Sequence, residues 1–314
     1  MQVADSVILV RPTGFGFDPE TAESNTFQQQ GFIPEVRTKA AEEFDGLLHV
    51  LREVGIGITI LDPKDRLAPN AVFPNNWFST DAEGRVVLYP MRNGSRRVER
   101  DADMALTLRR EGLDAKDTVD LSGWEHRGMY LEGTGSLVLD RIHKKAFACL
   151  SERTTEDALN NWCERFAYTP IAFTATVDGR IPDGSTRGVP VYHTNVVMSI
   201  GEGFAVVCLD AMPFPAERQE VMEELKKSGK EVIPIGIEQM QHFLGNMLQL
   251  HGRKYKEPEP YILLSETAFL QLRPEQRIAL QAQGQLLPVA IPTIELVGGG
   301  SVRCMLAENF LSRR

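Results

Sequence analysis

Hydrophobic residues recur along the chain in one pattern, five times over. An apolar strand runs into a short polar or glycine-rich turn and then into a second apolar strand. The five stretches are AVFPNNWFSTDAEGRVVLYPM, YLEGTGSLVLDRIHKKAFACLSERT, VYHTNVVMSIGEGFAVVCLDAM, HFLGNMLQLHGRKYKEPEPYILLSETAF and TIELVGGGSVRCMLAENF. They begin near positions 71, 130, 191, 242 and 293, a period of roughly 50 to 60 residues. DAEG, GEG and KEPEP supply the glycine, proline and aspartate that tight reversals need. Helical spacing appears between the hairpins. TKAAEEFDGLLHVLREVG carries apolar residues on one face and closes on glycine. SERTTEDALNNWCERFA opens on Ser/Thr with acids in its first turn, and PAERQEVMEELKKSGK has proline and acid early, lysine late and glycine after its end. The predicted unit is strand, turn, strand, helix, strand.

Five such units cannot each cover both faces of their strands. Packed around a common axis, they would bury the strands inside and put the helices outside. The start of each unit would then face a shared centre, and these starts carry residues that are odd for a strand. They are Asn75 and Asn76, Glu132, His193 and Asn195, Asn246, and Cys304. A thiolate is a nucleophile, an imidazole moves protons and a carboxylate orients either the imidazole or a ligand. The run Gly298, Gly299, Gly300 lets backbone approach a ligand closely and offers N–H groups to a developing negative charge.

Blander readings compete at each position. Cys149, Cys163 and Cys208 sit on apolar faces and read as small buried hydrophobes. Only Cys304 has a glycine run beside it. His193 alone could be a satisfied core histidine. Glu132, between Leu131 and Gly133, is costly to bury unless it is paired or functional. The histidines have no metal-ligand spacing, so neither a metal nor another cofactor is expected.

Composition narrows the class. Net charge is -9 over 314 residues, which argues against nucleic acid or an anionic membrane surface as the main partner. No apolar run reaches membrane-spanning length. The start, MQVADSVILVRPTGFGFD, reads as a first strand and not as a secretory signal. Four cysteines without paired spacing then read as reduced thiols in a cytoplasmic protein. With no linker in view, residues 1–314 are expected to form one catalytic domain binding a small molecule; a homo-oligomer stays open.

These motifs resemble the guanidino-group modifying enzymes, the pentein superfamily, which includes arginine deiminases, dimethylarginine dimethylaminohydrolases and amidinotransferases. FPNNWFS, LEGTGS and HTNVVM are most similar to its amidinotransferase-like, citrulline-hydrolysing subgroup. The resemblance spans nearly the whole chain. It implies an α/β fold, a five-bladed α/β propeller with pseudo-fivefold symmetry. GGGSVRCM resembles the family's glycine-rich C-terminal motif, which makes Cys304 the nucleophile. YHTN resembles its His-x-Asp motif, which makes His193 the general acid/base, and LEGTGS its Glu-Gly-Gly strand, which makes Glu132 the partner carboxylate. LSERT is similar to the loop whose arginine holds the substrate carboxylate, which nominates Arg153. RNGSRRVE resembles a loop with paired arginines and nominates Arg97, with a solvent-facing charge as the competing reading.

Two positions depart from the deiminase pattern. Asn76 stands where deiminases have the aspartate of Phe-x-x-Asp, and Asn195 where they have that of His-x-Asp. Those aspartates clamp a cationic guanidinium. An asparagine offers one acceptor and one donor pair without charge, which suits a neutral ureido group. The expected function is therefore a cysteine-dependent hydrolase of a guanidino or ureido group, with a citrulline-like substrate preferred. An amidinotransferase using the same residues and a non-catalytic pentein binding protein are the rivals. The loop TVDGRIPDGSTRGVP is the candidate lid, with an ordinary surface loop as its alternative.

Overall fold

Each predicted unit folds into a three-stranded sheet built to one plan, in a computed structural model that describes residues 1–30, 33–182, 184, 187–254 and 257–314. Three residues of the candidate lid (183, 185, 186) and Tyr255 and Lys256 of the fourth hairpin lie outside the described residues.

The strands are β1 (Ser6–Val10), β2 (Gly57–Leu61), β3 (Phe78–Thr80), β4 (Arg85–Leu88), β5 (Asp117–Asp120), β6 (Val138–Asp140), β7 (Lys145–Cys149), β8 (Thr169–Phe173), β9 (Met198–Ile200), β10 (Phe204–Val207), β11 (Glu231–Pro234), β12 (Leu248–Gly252), β13 (Glu259–Ser265), β14 (Gln285–Val289) and β15 (Ala307–Glu308). In the β3–β4–β5 sheet, β3 pairs antiparallel with β4 (Phe78 opposite Leu88) and β4 pairs parallel with β5 (Val86 opposite Thr118). The sheets β6–β7–β8, β9–β10–β11 and β12–β13–β14 repeat this. The fifth sheet is made from both chain ends: β15 pairs antiparallel with β1, and β1 parallel with β2. Five sheets of identical plan make a five-bladed α/β propeller.

A parallel third strand requires a crossover, and a helix supplies it in every blade. The crossovers are Met104–Arg110, Glu156–Phe166, Pro215–Lys227, Pro274–Gln283 and, between β1 and β2, Val36–Glu53. Each turns an apolar stripe to its sheet. In Val36–Glu53 the stripe is Ala40, Phe44, Leu47, Leu48 and Leu51, the spacing of one helix face. The middle strands are covered on both faces and read as unbroken apolar runs; every residue of β10 is buried. Cys149, Cys163 and Cys208 are buried among these apolar side chains, and burial pushes all three thiols up to about 12.

Two expectations about elements are corrected. The first strand of four blades is short because the polar residues before it form helical turns: Pro74–Asn76, Gly133–Ser136, Thr194–Val197 and Val302–Met305. The stretch TIELVG is a helix, Pro292–Gly298, and not a strand. Pro292 occupies its first turn, the Glu43 carboxylate accepts from Thr293 N (2.8 Å) and Ile294 N (2.9 Å), and Gly299 ends it with φ +64°.

Candidate active site

The helical turns before the inner strands meet at the centre, and hydrogen bonds run from blade to blade through them. Asn75 Nδ2 reaches Thr134 Oγ1 (3.4 Å), and Thr194 Oγ1 donates to Ser136 O (2.5 Å). Asn246 Nδ2 donates to Asn195 O (2.9 Å), while Asn246 Oδ1 accepts from Arg303 N (3.1 Å). Bonds between residues 51 to 59 apart in sequence thus hold side chains of successive blades in one small region.

Glu132 and His193 are paired there. His193 Nε2 lies 2.9 Å from Glu132 Oε2, and both side chains are buried. Glu132 Oε1 also accepts from Arg92 N (3.0 Å), and Arg153 Nη1 stands 3.8 Å from Oε2. Burial alone would raise the Glu132 carboxyl, but the bond from His193 and the charges of Arg153, His193 and Arg96 overcome it and hold the group at about 2. Burial pushes the His193 imidazole down to about 4, against the pull of Glu132. At neutral pH this is an ionised carboxylate beside a neutral imidazole. An ionised carboxylate only accepts, so Nε2 carries the imidazole proton and Nδ1 keeps the lone pair. That ring lies over Gly135: a Cβ there would come 2.8 Å from Nδ1 and 2.4 Å from Asn76 Nδ2.

Cys304 sits on the turn Val302–Met305, 3% exposed. Its Sγ is approached by two amides, Asn246 Nδ2 at 3.3 Å and Asn195 Nδ2 at 3.5 Å. The glycine run Gly298, Gly299 and Gly300 borders the same pocket as Cys304. Gly299 N is spent on Glu295 O (2.9 Å), and its carbonyl accepts from Tyr192 Oη (2.5 Å) and Asn25 Nδ2 (3.1 Å). The glycines also supply room. A Cβ on Gly298 would fall 2.8 Å from the Phe73 ring, and one on Gly300 would fall 3.0 Å from Phe73 and 3.4 Å from Cys304 Cβ.

Gly298, Gly299, Gly300, Cys304, His193, Asn76 and Arg153 border one narrow pocket. Asn76 Oδ1 accepts from Arg96 Nη1 (3.1 Å); among the described residues Asn76 Nδ2, Asn195 Oδ1 and Asn75 Oδ1 have no hydrogen-bond partner. Of these three amides Asn76 borders the pocket, and a buried polar atom left open there is a cost that a ligand removes. Arg153 is fully buried, its guanidinium bonded to Thr21 O (2.8 Å) and Ser24 Oγ and lying over the Tyr192 ring at 5.0 Å.

Arg97 is not brought to this pocket. It bonds Met91 O (3.0 Å) and pairs with Glu125 (3.2 Å) at the partly exposed side. Its neighbour Arg96 is the inward arginine, buried with Glu99 at 2.6 Å and bordering the pocket. The two sit on one helical turn, Gly94–Arg97, where consecutive side chains point about 100° apart. The segment 18–28 also escaped sequence reading. Asp18 caps the turn Pro19–Ala22, Asn70 Nδ2 bonds Asp18 Oδ2 (2.9 Å), and Thr21 and Asn25 form part of the pocket wall. The sequence signal of that segment is a run of Asp, Thr, Ser and Asn ahead of the first long helix. Among the described residues, no cluster of three or more His, Cys, Asp or Glu could hold a metal ion, and no helix is long and apolar enough to cross a membrane.

Comparison with known proteins returns consistent likenesses. The model of the family described as N,N dimethylarginine dimethylhydrolase, eukaryotic, matches residues 11–311. The N-terminal domain of ArgZ bound to product, an arginine dihydrolase from the ornithine-ammonia cycle in Cyanobacteria, superposes with a TM-score of 0.73 at 14% identity, over 96% of both chains. Unliganded AgrE gives 0.71 at 15% identity, over 98% of this chain and 40% of its own. A dimethylarginine dimethylaminohydrolase adduct with 4-chloro-2-hydroxymethylpyridine gives 0.62 at 14% identity, over 98% and 100%. At these identities the structural likeness speaks for the fold. A search of curated sequences returns no match.

Proposed function

The chain belongs to the N,N-dimethylarginine dimethylhydrolase family, hydrolases of C–N bonds in guanidino groups, and from that premise we propose that it is a cysteine hydrolase whose preferred head group is ureido, as in citrulline. The observation that carries the preference is the state of two amides. Asn76 has its acceptor occupied by Arg96 and its Nδ2 free, while Asn195 has its Oδ1 free. One open donor and one open acceptor match a C=O beside an NH2. A guanidinium would present only donors, and would meet the Arg96 cation behind Asn76.

The proposed chemistry follows from the pairings. The free Nδ1 of His193 takes the thiol proton of Cys304, and Glu132 stabilises the imidazolium that results. The thiolate attacks the ureido carbon, forming the C–S bond. His193 returns the proton to the δ-nitrogen as its C–N bond breaks, and ornithine departs. Neutral His193 then takes a proton from water, whose oxygen attacks the thiocarbamoyl carbon. The C–S bond breaks, the thiolate returns, and the carbamate released decomposes to CO2 and ammonia. Asn246 and Asn195 stand at the sulfur in this scheme, and Arg153 supplies positive charge for a substrate carboxylate. Residues 1–314 act as one catalytic unit in this reading, since both chain ends share one blade.

The test is product analysis with L-citrulline, L-arginine, dimethylarginine and agmatine, for wild type and Cys304→Ala. Ornithine plus ammonia from citrulline, lost in the variant, is expected. Citrulline from arginine or dimethylarginine would keep the cysteine chemistry and overturn the ureido preference. A new amidino product that forms only with an acceptor amine present would make the protein a transferase.

A further inference from the structure

The inner strands enclose a second cavity, separate from the pocket at Cys304. It lies among β6, β9, β12 and β15, with Leu139, Ser199 and Leu248 in its wall together with Arg141, Arg303 and Glu308. Its charges do not balance. Arg303 Nη2 (2.9 Å) and Arg141 Nη2 (3.2 Å) both bond the same oxygen, Glu308 Oε2. No other carboxylate among the described residues lies within ion-pair distance of either guanidinium. Two guanidiniums and one carboxylate leave one positive charge, and all three side chains are at least six-sevenths buried. An unmatched charge in such a place is costly until a counter-ion arrives.

A second observation points the same way. Ser199, 8% exposed, lines this cavity, and its Oγ has no hydrogen-bond partner among the described residues. Nearby polar groups are already committed. Gln2 accepts from Arg141 N (2.7 Å) and donates to Leu139 O (2.9 Å), and Thr134 Oγ1 is engaged with Asn75. What remains is a hydroxyl donor and an excess of guanidinium charge around a space of about 30 Å³. Counted as room for the centre of a water-sized sphere, about 10–15 Å³ is enough for one water, so more than one such sphere fits. That room admits an ion of chloride size beside the hydroxyl and the guanidiniums.

We propose that this inner-strand cavity is a binding site for a small monovalent anion, chloride or bromide, held by Arg141, Arg303 and Ser199. The proposal is independent of the reaction at Cys304. Bromide serves as the probe. Wild-type crystals soaked in sodium bromide are expected to show an anomalous peak within hydrogen-bonding distance of Ser199 Oγ and both guanidiniums. Melting of the dissolved protein at fixed ionic strength should give a higher Tm in chloride than in gluconate. Ser199→Ala, a small change that leaves the arginine pair intact, should weaken the peak and shrink the Tm difference. No peak at this position, or equal melting in the two salts, would overturn the proposal.

Discussion

At the scale of single residues, the site turns on which atoms are left open. Asn76 and Asn195 differ from aspartate by one atom each, so Asn76→Asp with Asn195→Asp changes charge and hydrogen bonding while barely changing shape. The double variant is expected to lose about 10- to 100-fold in kcat/KM for citrulline, and to gain on arginine relative to wild type. Steady-state kinetics on both substrates checks this, and an unchanged ratio would discard the amide argument. Gly135 makes a different demand. Its Cα lies against both Asn76 and His193, so Gly135→Ala must push one of them aside. A shift near 1 Å in a proton-transfer group costs on the order of 100-fold. We expect kcat to fall by about that much, with a stability loss of about 1–3 kcal/mol readable in a urea melt. Glu132 and His193 were legible in the sequence because each is a poor choice for the apolar stretch around it, and Cys304 because of the glycine run before it. Arg96 was not, because choosing it over Arg97 requires the rotation of a four-residue turn that apolar spacing does not reveal.

At the scale of elements, hydrophobic alternation read correctly wherever a strand is covered on both faces or a helix presents one stripe. It failed for TIELVG, whose apolar residues suit either a strand or a buried helix. The decision came from elsewhere in the chain: the Glu43 carboxylate on the helix Val36–Glu53 accepts from the first free N–H groups of Pro292–Gly298. No local pattern shows a cap supplied from 250 residues away. Removing it tests the assignment. Glu43→Ala is expected to cost about 1 kcal/mol, the usual worth of a helix cap. Since this helix leads into the glycines at the pocket wall, KM should rise while the pKa values seen in the pH–rate profile stay put. A variant as stable as wild type would mean that the carboxylate does not hold the helix.

At the scale of the whole molecule, the ring closes through β15 and β1 and buries at its centre a pair that strongly resists protonation. The five-part repeat made that ring legible, since five equal units with polar starts have few other ways to cover their strands. The energetics of the centre were not legible, because they depend on how completely the ring excludes water from Glu132 and His193. Their titration links the site to global stability. His193 has an ordinary value of 6.5 in the unfolded chain and about 4 in the fold, so the unfolded chain takes up the proton first. Above pH 6.5 the imidazole is neutral in both states and costs nothing. As pH falls below that, the unfolded state gains a proton that the fold refuses, and stability drops until about pH 4. Glu132 follows lower down, ordinary at 4.5 and held at about 2, so its contribution is intact above 4.5 and is lost toward 2. Of this pair only the histidine acts between pH 7 and pH 5, and the loss from it alone is about 2 kcal/mol. Glu99, which burial raises to about 7, acts in the same window with the opposite sign, but equally in wild type and in a His193 variant. His193→Gln removes the titrating group. Urea melts of the two proteins at pH 7 and pH 5 should show wild type losing about that much more than the variant. Equal losses would mean that the imidazole titrates as it does in water, and that the Glu132–His193 pair is open to solvent and not sealed by the ring.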